Sequence, residues 1–494
     1  DRNVALGYQA LTAMTSGTTA DTYNVAVGYH AGLAVTDGTD NTLIGGLAGA
    51  SLTTGNQNIA LGRSALSAGI GAGDNVAIGY AAMSANTTGN ANVAIGTQAL
   101  NGANNSGTST YNIGIGFKAG SVTSTGTKNI LIGGFAGDAI TTANYNIAIG
   151  HNALSTEDTG SRNVAVGFEA LRDLNFDGNG YNTAMGFQAG AAMTTGVHNT
   201  LMGAEAGDAL TIGVNNIAIG YLALSASVDG DHNVAIGTYA LRNYEDGDGN
   251  GNNTAVGHAS QTNATTGEFN VSLGSSSLGG AALTGDNNIG LGYKAGFALT
   301  SGSNNVAVGH KSLMTEDGNG TNVAIGHQTL KVQNAGSDAY NVAVGYHAGT
   351  AVTTAVRNTL IGGLAGDALT TGSYNVALGY GALSTEDAHG KNVAIGYESL
   401  VNQNAGQDAY NVAIGFEAGH DLTQGKKNTL VGGFAGSKIT SAIYNTALGY
   451  QSLAANLIGD NNTALGYLAL QDFVADTDGH GGNTAVGSSS MSNL

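Results

Sequence analysis

The chain has 494 residues with 81 Gly, no Pro and no Cys, so a collagen triplet, a disulfide frame and a Cys-based metal centre are excluded. Fifteen basic residues stand against 34 acidic ones, a net charge of −19, which argues against nucleic-acid binding through clustered phosphate contacts. No run of eighteen apolar residues is long enough to span a membrane, and no helix-period stretch of useful length is present.

What fills the chain instead is one motif. It is first met at Asn3-Val4-Ala5-Leu6-Gly7 and last at Asn483-Thr484-Ala485-Val486-Gly487. It occurs 28 times, most often 17 residues apart, with Asn first and Gly fifth in every copy. A fixed period of this length signals stacked structural units that bury their faces against one another. We number each unit from its Asn. Position two is Val, Ile or Thr and position four is an aliphatic residue. Side chains alternate along a strand, so these two share a face, and their apolar character predicts that they point inward. Position three, mostly Ala, Gly or Ser, then points to the opposite face. Gly at position five predicts a corner with positive φ or no space for a β-carbon. A second short extended piece and a polar return such as Thr53-Thr54-Gly55 or Thr87-Thr88-Gly89 complete the unit.

The fold class expected is therefore all-β: a parallel β-solenoid (β-roll) of about 28 coils, mostly of 17 residues, forming one continuous repeat rod over residues 1–494. At about 4.8 Å per coil the rod reaches roughly 130 Å. Stacking places like residues above like, so the Asn column is expected to form an amide ladder. Position six is Tyr, Phe or His in 18 of the 28 coils, which predicts an aromatic ladder in preference to a receptor-gripping stripe. Four His of that column (His151, His258, His310 and His327) interchange with Tyr and Phe, which does not suit a catalytic or metal role.

A longer order sits above the coil. Position nine reads Gly120, Gly137, Leu154, Leu171, then Gly190, Gly207, Leu224, Leu241, and the same pattern returns at 349–400 and 419–470. Blocks of four or five coils start near 24, 112, 182, 253, 341, 411 and 483, with enlarged loops at their ends. Position three becomes Leu at Leu43, Leu131, Leu201, Leu360 and Leu430, where position six becomes Gly46, Gly134, Ala204, Gly363 and Gly433. Read as a volume exchange within one packed space, this predicts that position three is buried against a second or third chain, and hence an intertwined oligomer.

Acidic, Gly-rich turns are the candidate cation sites. They include Glu245-Asp246-Gly247-Asp248-Gly249-Asn250, Glu316-Asp317-Gly318-Asn319-Gly320 and Asp476-Thr477-Asp478-Gly479. Ca²⁺ favours oxygen ligands on such turns, making Asp177, Asp246, Asp248, Asp317, Asp476 and Asp478 candidate Ca²⁺ ligands and Ca²⁺ the candidate cofactor. Neither a complete EF-hand loop nor the G-G-x-G-x-D repeat is present, and solvated turns are the commoner explanation. No catalytic motif is found, and the acids vary in place. A polysaccharide-degrading solenoid would need a carboxylate cluster in a groove. An ice-binding solenoid would need a regular Thr array, whereas Thr42, Thr183, Thr200 and Thr254 are irregular in a column read as inward.

Asn75-Val76-Ala77-Ile78-Gly79 and Asn392-Val393-Ala394-Ile395-Gly396 resemble the N-x-V-A-I-G repeats in the heads of trimeric autotransporter adhesins of the YadA type. Asn445-Thr446-Ala447-Leu448-Gly449-Tyr450, with its T-T-G returns elsewhere, resembles the repeat shafts of phage tail fibres. The resemblance covers essentially the whole chain. It implies a left-handed β-roll in which three chains wind about a common axis as an intertwined homotrimer, in an extracellular, cell-surface or virion-borne fibre. The function it implies is a non-catalytic adhesin rod or, alternatively, a phage tail-fibre shaft. The partners implied are the chain itself and a cell-surface glycan or protein receptor. The adhesin repeat is shorter than 17 residues, and the neck, stalk and membrane barrel of those adhesins are missing from this sequence.

Overall fold

The computed structural model describes residues 2–14, 21–103, 109–245, 250–475 and 480–493. The chain divides into two compact units, Asp1–Gly251 and Asn252–Leu494. The first carries fourteen strands, from Val4–Leu6 to Val234–Ile236; the second carries fourteen more, from Thr254–Val256 to Thr484–Val486. Every strand is three residues long, and no helix occurs among the described residues. Within each unit, neighbouring strands pair in parallel and in register. Val76, Ala77 and Ile78 face Val93, Ala94 and Ile95, for example. The protein is an all-parallel β-solenoid with one strand per coil.

The two faces of the strand are reversed relative to the sequence expectation. The middle residue is buried, and its two flanking aliphatics point out: Ala60 is fully enclosed, while Ile59 and Leu61 are each 43% exposed. Thr42, Thr183, Thr200 and Thr254 sit on the outward face as well. The alternation was read correctly and its phase was not. The coil is too narrow to hold two branched side chains per strand, so Ala takes the inner place and the β-branched residues keep the strand extended from outside. Ala77 and Ala324 are thus enclosed by their own chain and are not contacts to a partner.

The inner space is filled by exchange between positions three and nine. Leu131 projects between Gly120 and Gly137, whose added β-carbons would lie 2.6 and 2.7 Å from its methyls. Leu43, Leu201, Leu360 and Leu430 are seated in the same way between two position-nine glycines. The converse holds at Gly114 and Gly290, where a β-carbon would meet Leu100 or Leu278 of the preceding coil at 2.7 or 2.8 Å. This accounts for the Gly-Gly-Leu-Leu blocks. The correlated Gly at position six is a separate, surface event. At Gly134 the gap in the outer aromatic column is bridged by Phe135, which meets Phe117 and His151 edge-on at 5.2 and 5.9 Å.

Asn at position one is buried in nearly every coil and performs two tasks. Its Oδ1 accepts the backbone N–H of the next Asn, as from Asn41 to Asn24 at 2.9 Å. Its Nδ2 donates to the carbonyl fourteen residues on, as from Asn41 to Gly55 at 2.9 Å, which ties down the return. Several amides also join side chain to side chain, as between Asn58 and Asn41 at 3.0 Å, forming the expected ladder. In the coils opened by Asn163 and Asn392 the next Asn lies 19 residues away, and Nδ2 finds no acceptor. Gly79, with φ of 130°, meets both expectations for position five, since a β-carbon there would lie 2.6 Å from the Gly96 carbonyl oxygen. Beyond this corner the chain is a ribbon of turns, not a second extended piece. Ala81 and Met83 adopt left-handed φ of 56° and 51°.

Candidate functional site

Of the six candidate Ca²⁺ ligands, Asp246, Asp248, Asp476 and Asp478 lie outside the described residues. Asp177 is exposed and accepts a hydrogen bond from Thr159 Oγ1 at 2.5 Å. Asp317 is exposed and accepts the N–H of Gly318 at 2.5 Å. Neither belongs to a group of three potential ligands among the described residues.

Sequence reasoning missed a set of buried carboxylates. Position twelve points inward, and in three coils it is Glu: Glu157, Glu316 and Glu386 are fully enclosed. In two coils Asn takes this place and closes the return turn with two bonds. Gly89 N–H donates to Asn86 Oδ1 at 2.7 Å, and Asn86 Nδ2 donates to the Gly89 carbonyl at 3.0 Å. Asn456 and Gly459 repeat the pair at 2.9 and 2.8 Å. An ionised Glu accepts but cannot donate, so burial pushes each of these three carboxyls above the usual range. Glu157 is the best supported, accepting N–H groups of Gly160 at 2.5 Å and Phe176 at 3.3 Å. Glu316 is pushed up to about 7, because neither oxygen has a well-formed hydrogen bond and Asn319 offsets burial only in part. The signal was available: Thr-Glu-Asp recurs at 156–158, 315–317 and 385–387, each time in the coil after a Gly-Gly or Gly-containing pair.

Outside, three columns run along each unit. The first is the pair of aliphatic rows at positions two and four. The second is the position-six column, in which His151, Phe168 and Phe187 stack at 5.7 and 5.3 Å, and Tyr293, His310, His327 and Tyr346 at 5.5, 4.9 and 5.4 Å. The aromatic ladder is therefore present. The third lies just before the Asn and, over one stretch of each unit, alternates phenols with cations: Tyr111, Lys128, Tyr145, Arg162 and Tyr181 in the first unit, Tyr340, Arg357, Tyr374, Lys391 and Tyr410 in the second. Lys128 Nζ lies 4.8 Å from the Tyr145 ring centre and donates to its hydroxyl at 3.0 Å, which lowers the pKa of that phenol. Arg357 donates to the Tyr374 hydroxyl at 2.6 Å, and Lys391 to Tyr410 at 3.0 Å. Lys and Arg exchange between the units while the alternation persists, so what recurs is cation-on-ring contact between coils. In the second unit a cleft of about 490 Å³ adjoins this column, lined by Asp408, Tyr410, Lys426, Lys427 and Tyr444 among others.

No helix among the described residues is long and apolar enough to cross a membrane. No protein-family model matches the chain, and no curated protein matches it. Fold and surface together define a β-solenoid repeat protein.

Proposed function

We propose that this chain is a non-catalytic, extracellular fibre of the adhesin kind, assembled from three copies and presenting repeated contacts to a cell or other surface. The observation that carries this reading is the outward aliphatic face. Val4, Ile59, Leu61, Ile149, Ile325, Leu378 and Leu448 belong to it and are each at least 36% exposed in the single chain. Positions two and four carry no charge in any coil. A contiguous apolar face of this extent marks an interaction surface. Its rows repeat with every coil, so a partner covering them along their length needs the same axial period, which another copy of the chain has.

The recurring aromatic and phenol–cation columns then remain to face solvent, where equivalent contacts along the assembly add avidity toward a glycan or protein receptor. A phage tail-fibre shaft uses the same construction, and the mounting distinguishes the two.

Light scattering of the purified chain, of 48.9 kDa, tests the assembly. Three copies per particle are expected, and a monodisperse monomer at micromolar concentration would sink the reading. Electron cryomicroscopy of the native particle then separates a cell-surface fibre from a virion-borne one.

A further inference from the structure

We propose that Glu386, Asp387 and His389 form a binding site for one divalent transition-metal ion, with Zn²⁺ as its reference occupant. One potential ligand atom from each of the three residues lies within 4.8 Å of the other two, all supplied by a single return turn. The Glu386 side chain is wholly enclosed, and its Oε2 has no hydrogen-bond partner. His389 Nδ1 is also enclosed, makes no hydrogen bond, and faces Glu386 Oε1 at 3.4 Å. Two enclosed polar atoms without partners, on adjacent arms of one turn, describe a place for a positive charge.

The turn is fixed before an ion arrives. The backbone N–H of His389 donates to Glu386 Oε1 at 3.1 Å and orients the carboxylate. The Asp387 carbonyl accepts from Thr370 through its N–H at 2.5 Å and its hydroxyl at 2.8 Å, anchoring the turn to the preceding coil. Asp387 itself is exposed, with a carboxylate oxygen already within 4.8 Å of the other two ligand atoms.

Comparison with the other two Glu-Asp turns isolates what is special here. The residue three beyond the Glu is Gly160 in one and Asn319 in the other, so neither offers an imidazole. Glu157 also has both oxygens engaged by backbone N–H groups and needs no ion. One imidazole nitrogen with two carboxylates suits Zn²⁺ and its neighbours, whereas Ca²⁺ and Mg²⁺ favour sets made wholly of oxygen. Three protein ligands leave a fourth position for water. The two carboxylates balance the charge of the ion.

The test is calorimetric titration of the full chain with ZnCl₂, alongside a thermal melt with and without EDTA. Wild type is expected to take up one ion per chain at this site and to melt higher with it. His389→Ala should lose that binding step. Asp387→Asn alters an exposed residue and leaves the fold intact, and it should weaken the step by about tenfold or more. His327→Ala, in the surface aromatic column, should leave it unchanged. Co²⁺ loaded in place of Zn²⁺ should show a tetrahedral visible absorption band, absent from the His389 variant. Equal affinity in wild type, His389→Ala and Asp387→Asn, or no saturable binding to the folded wild type, overturns the site whatever the oligomeric state proves to be.

Discussion

The side chain of Leu131 occupies the space that a β-carbon on Gly137 would need, the two lying 2.7 Å apart. Gly137 also holds a left-handed φ of 53°. The pair belongs to one coil and sets its inner volume. Leu131→Ala should destabilise the protein by about 2–5 kcal/mol through the cavity it leaves. Gly137→Ala should cost about 1–3 kcal/mol through overpacking. The double variant should be more stable than the sum of the two losses implies, because each change relieves part of what the other causes. Melting curves of the four proteins check this; strict additivity would contradict the shared-volume account.

The Asn column requires a group that donates and accepts at once. Asn75 donates to the Gly89 carbonyl at 2.9 Å and accepts the Asn92 N–H at 3.0 Å. Asn75→Asp keeps the acceptor, turns the donor into a second anionic oxygen and sets it against a carbonyl. A loss of about 3 kcal/mol or more is expected at neutral pH. Protonation restores a donor, so the variant should approach wild type as the pH falls toward 4. A penalty equal at pH 4 and pH 8 would show that the lost donor is not the cause.

Glu316 gives stability a pH dependence of defined sign. Its carboxyl is raised from 4.5 in the unfolded chain to about 7 in the fold. Between those values the folded protein holds a proton that the unfolded chain has released, so stability is greatest below pH 4.5 and falls as the pH rises through 7. The fall is of the order of 3 kcal/mol. Glu316→Gln, which carries a permanent donor, should flatten this segment of the profile and melt above wild type at pH 8. Denaturant titrations at several pH values measure it, and a wild-type profile already flat from pH 5 to 8 would refute the assignment.

Assembly and folding should separate by face. Ile59→Glu with Leu61→Glu changes two outward residues and should leave a folded chain that no longer associates. Ala77→Asp changes an enclosed residue and should unfold its coil whether or not a partner is present. Circular dichroism and sedimentation, read together, distinguish the two effects. Unchanged association in the Glu pair would move the interface to another face.

Period, strand position, the Asn ladder and the Gly corner could all be read from the sequence, because each rests on a residue type repeated in every coil. The phase of the strand could not. Val and Ile look like core residues and Ala does not, and only the width of a closed coil reverses that order, as at Ile59, Ala60 and Leu61. The exchange partner of Leu131 was misplaced for a related reason. Gly134 and Gly137 are both glycines of the same coil, and sequence alone does not say which one faces inward. The acidic turns drew attention through their acidic, Gly-rich composition at Asp177 and Asp317, while the enclosed Glu386 and its His389 neighbour lay in a return with fewer glycines. Burial of the Glu together with an imidazole three residues on, and not the count of carboxylates, is what sets that turn apart.

The seating of Leu131 also bears on how such a chain changes length through gene duplication and loss. Leu131 needs Gly120 in the coil before it and Gly137 in its own, and Leu154 follows where Leu131 no longer reaches. Excising the one coil opened by Asn129 would keep the Asn and Gly columns aligned yet leave Gly120 without the Leu131 side chain that fills the space beside it. Excising the stretch from Asn112 to just before Asn182 puts the Gly190, Leu201 and Gly207 seating where that of Gly120, Leu131 and Gly137 stood. The two coils that share one seated Leu are therefore gained or lost together, whereas coils with a large residue at position nine, such as the one carrying Met83 in a five-coil block, can be added or removed singly.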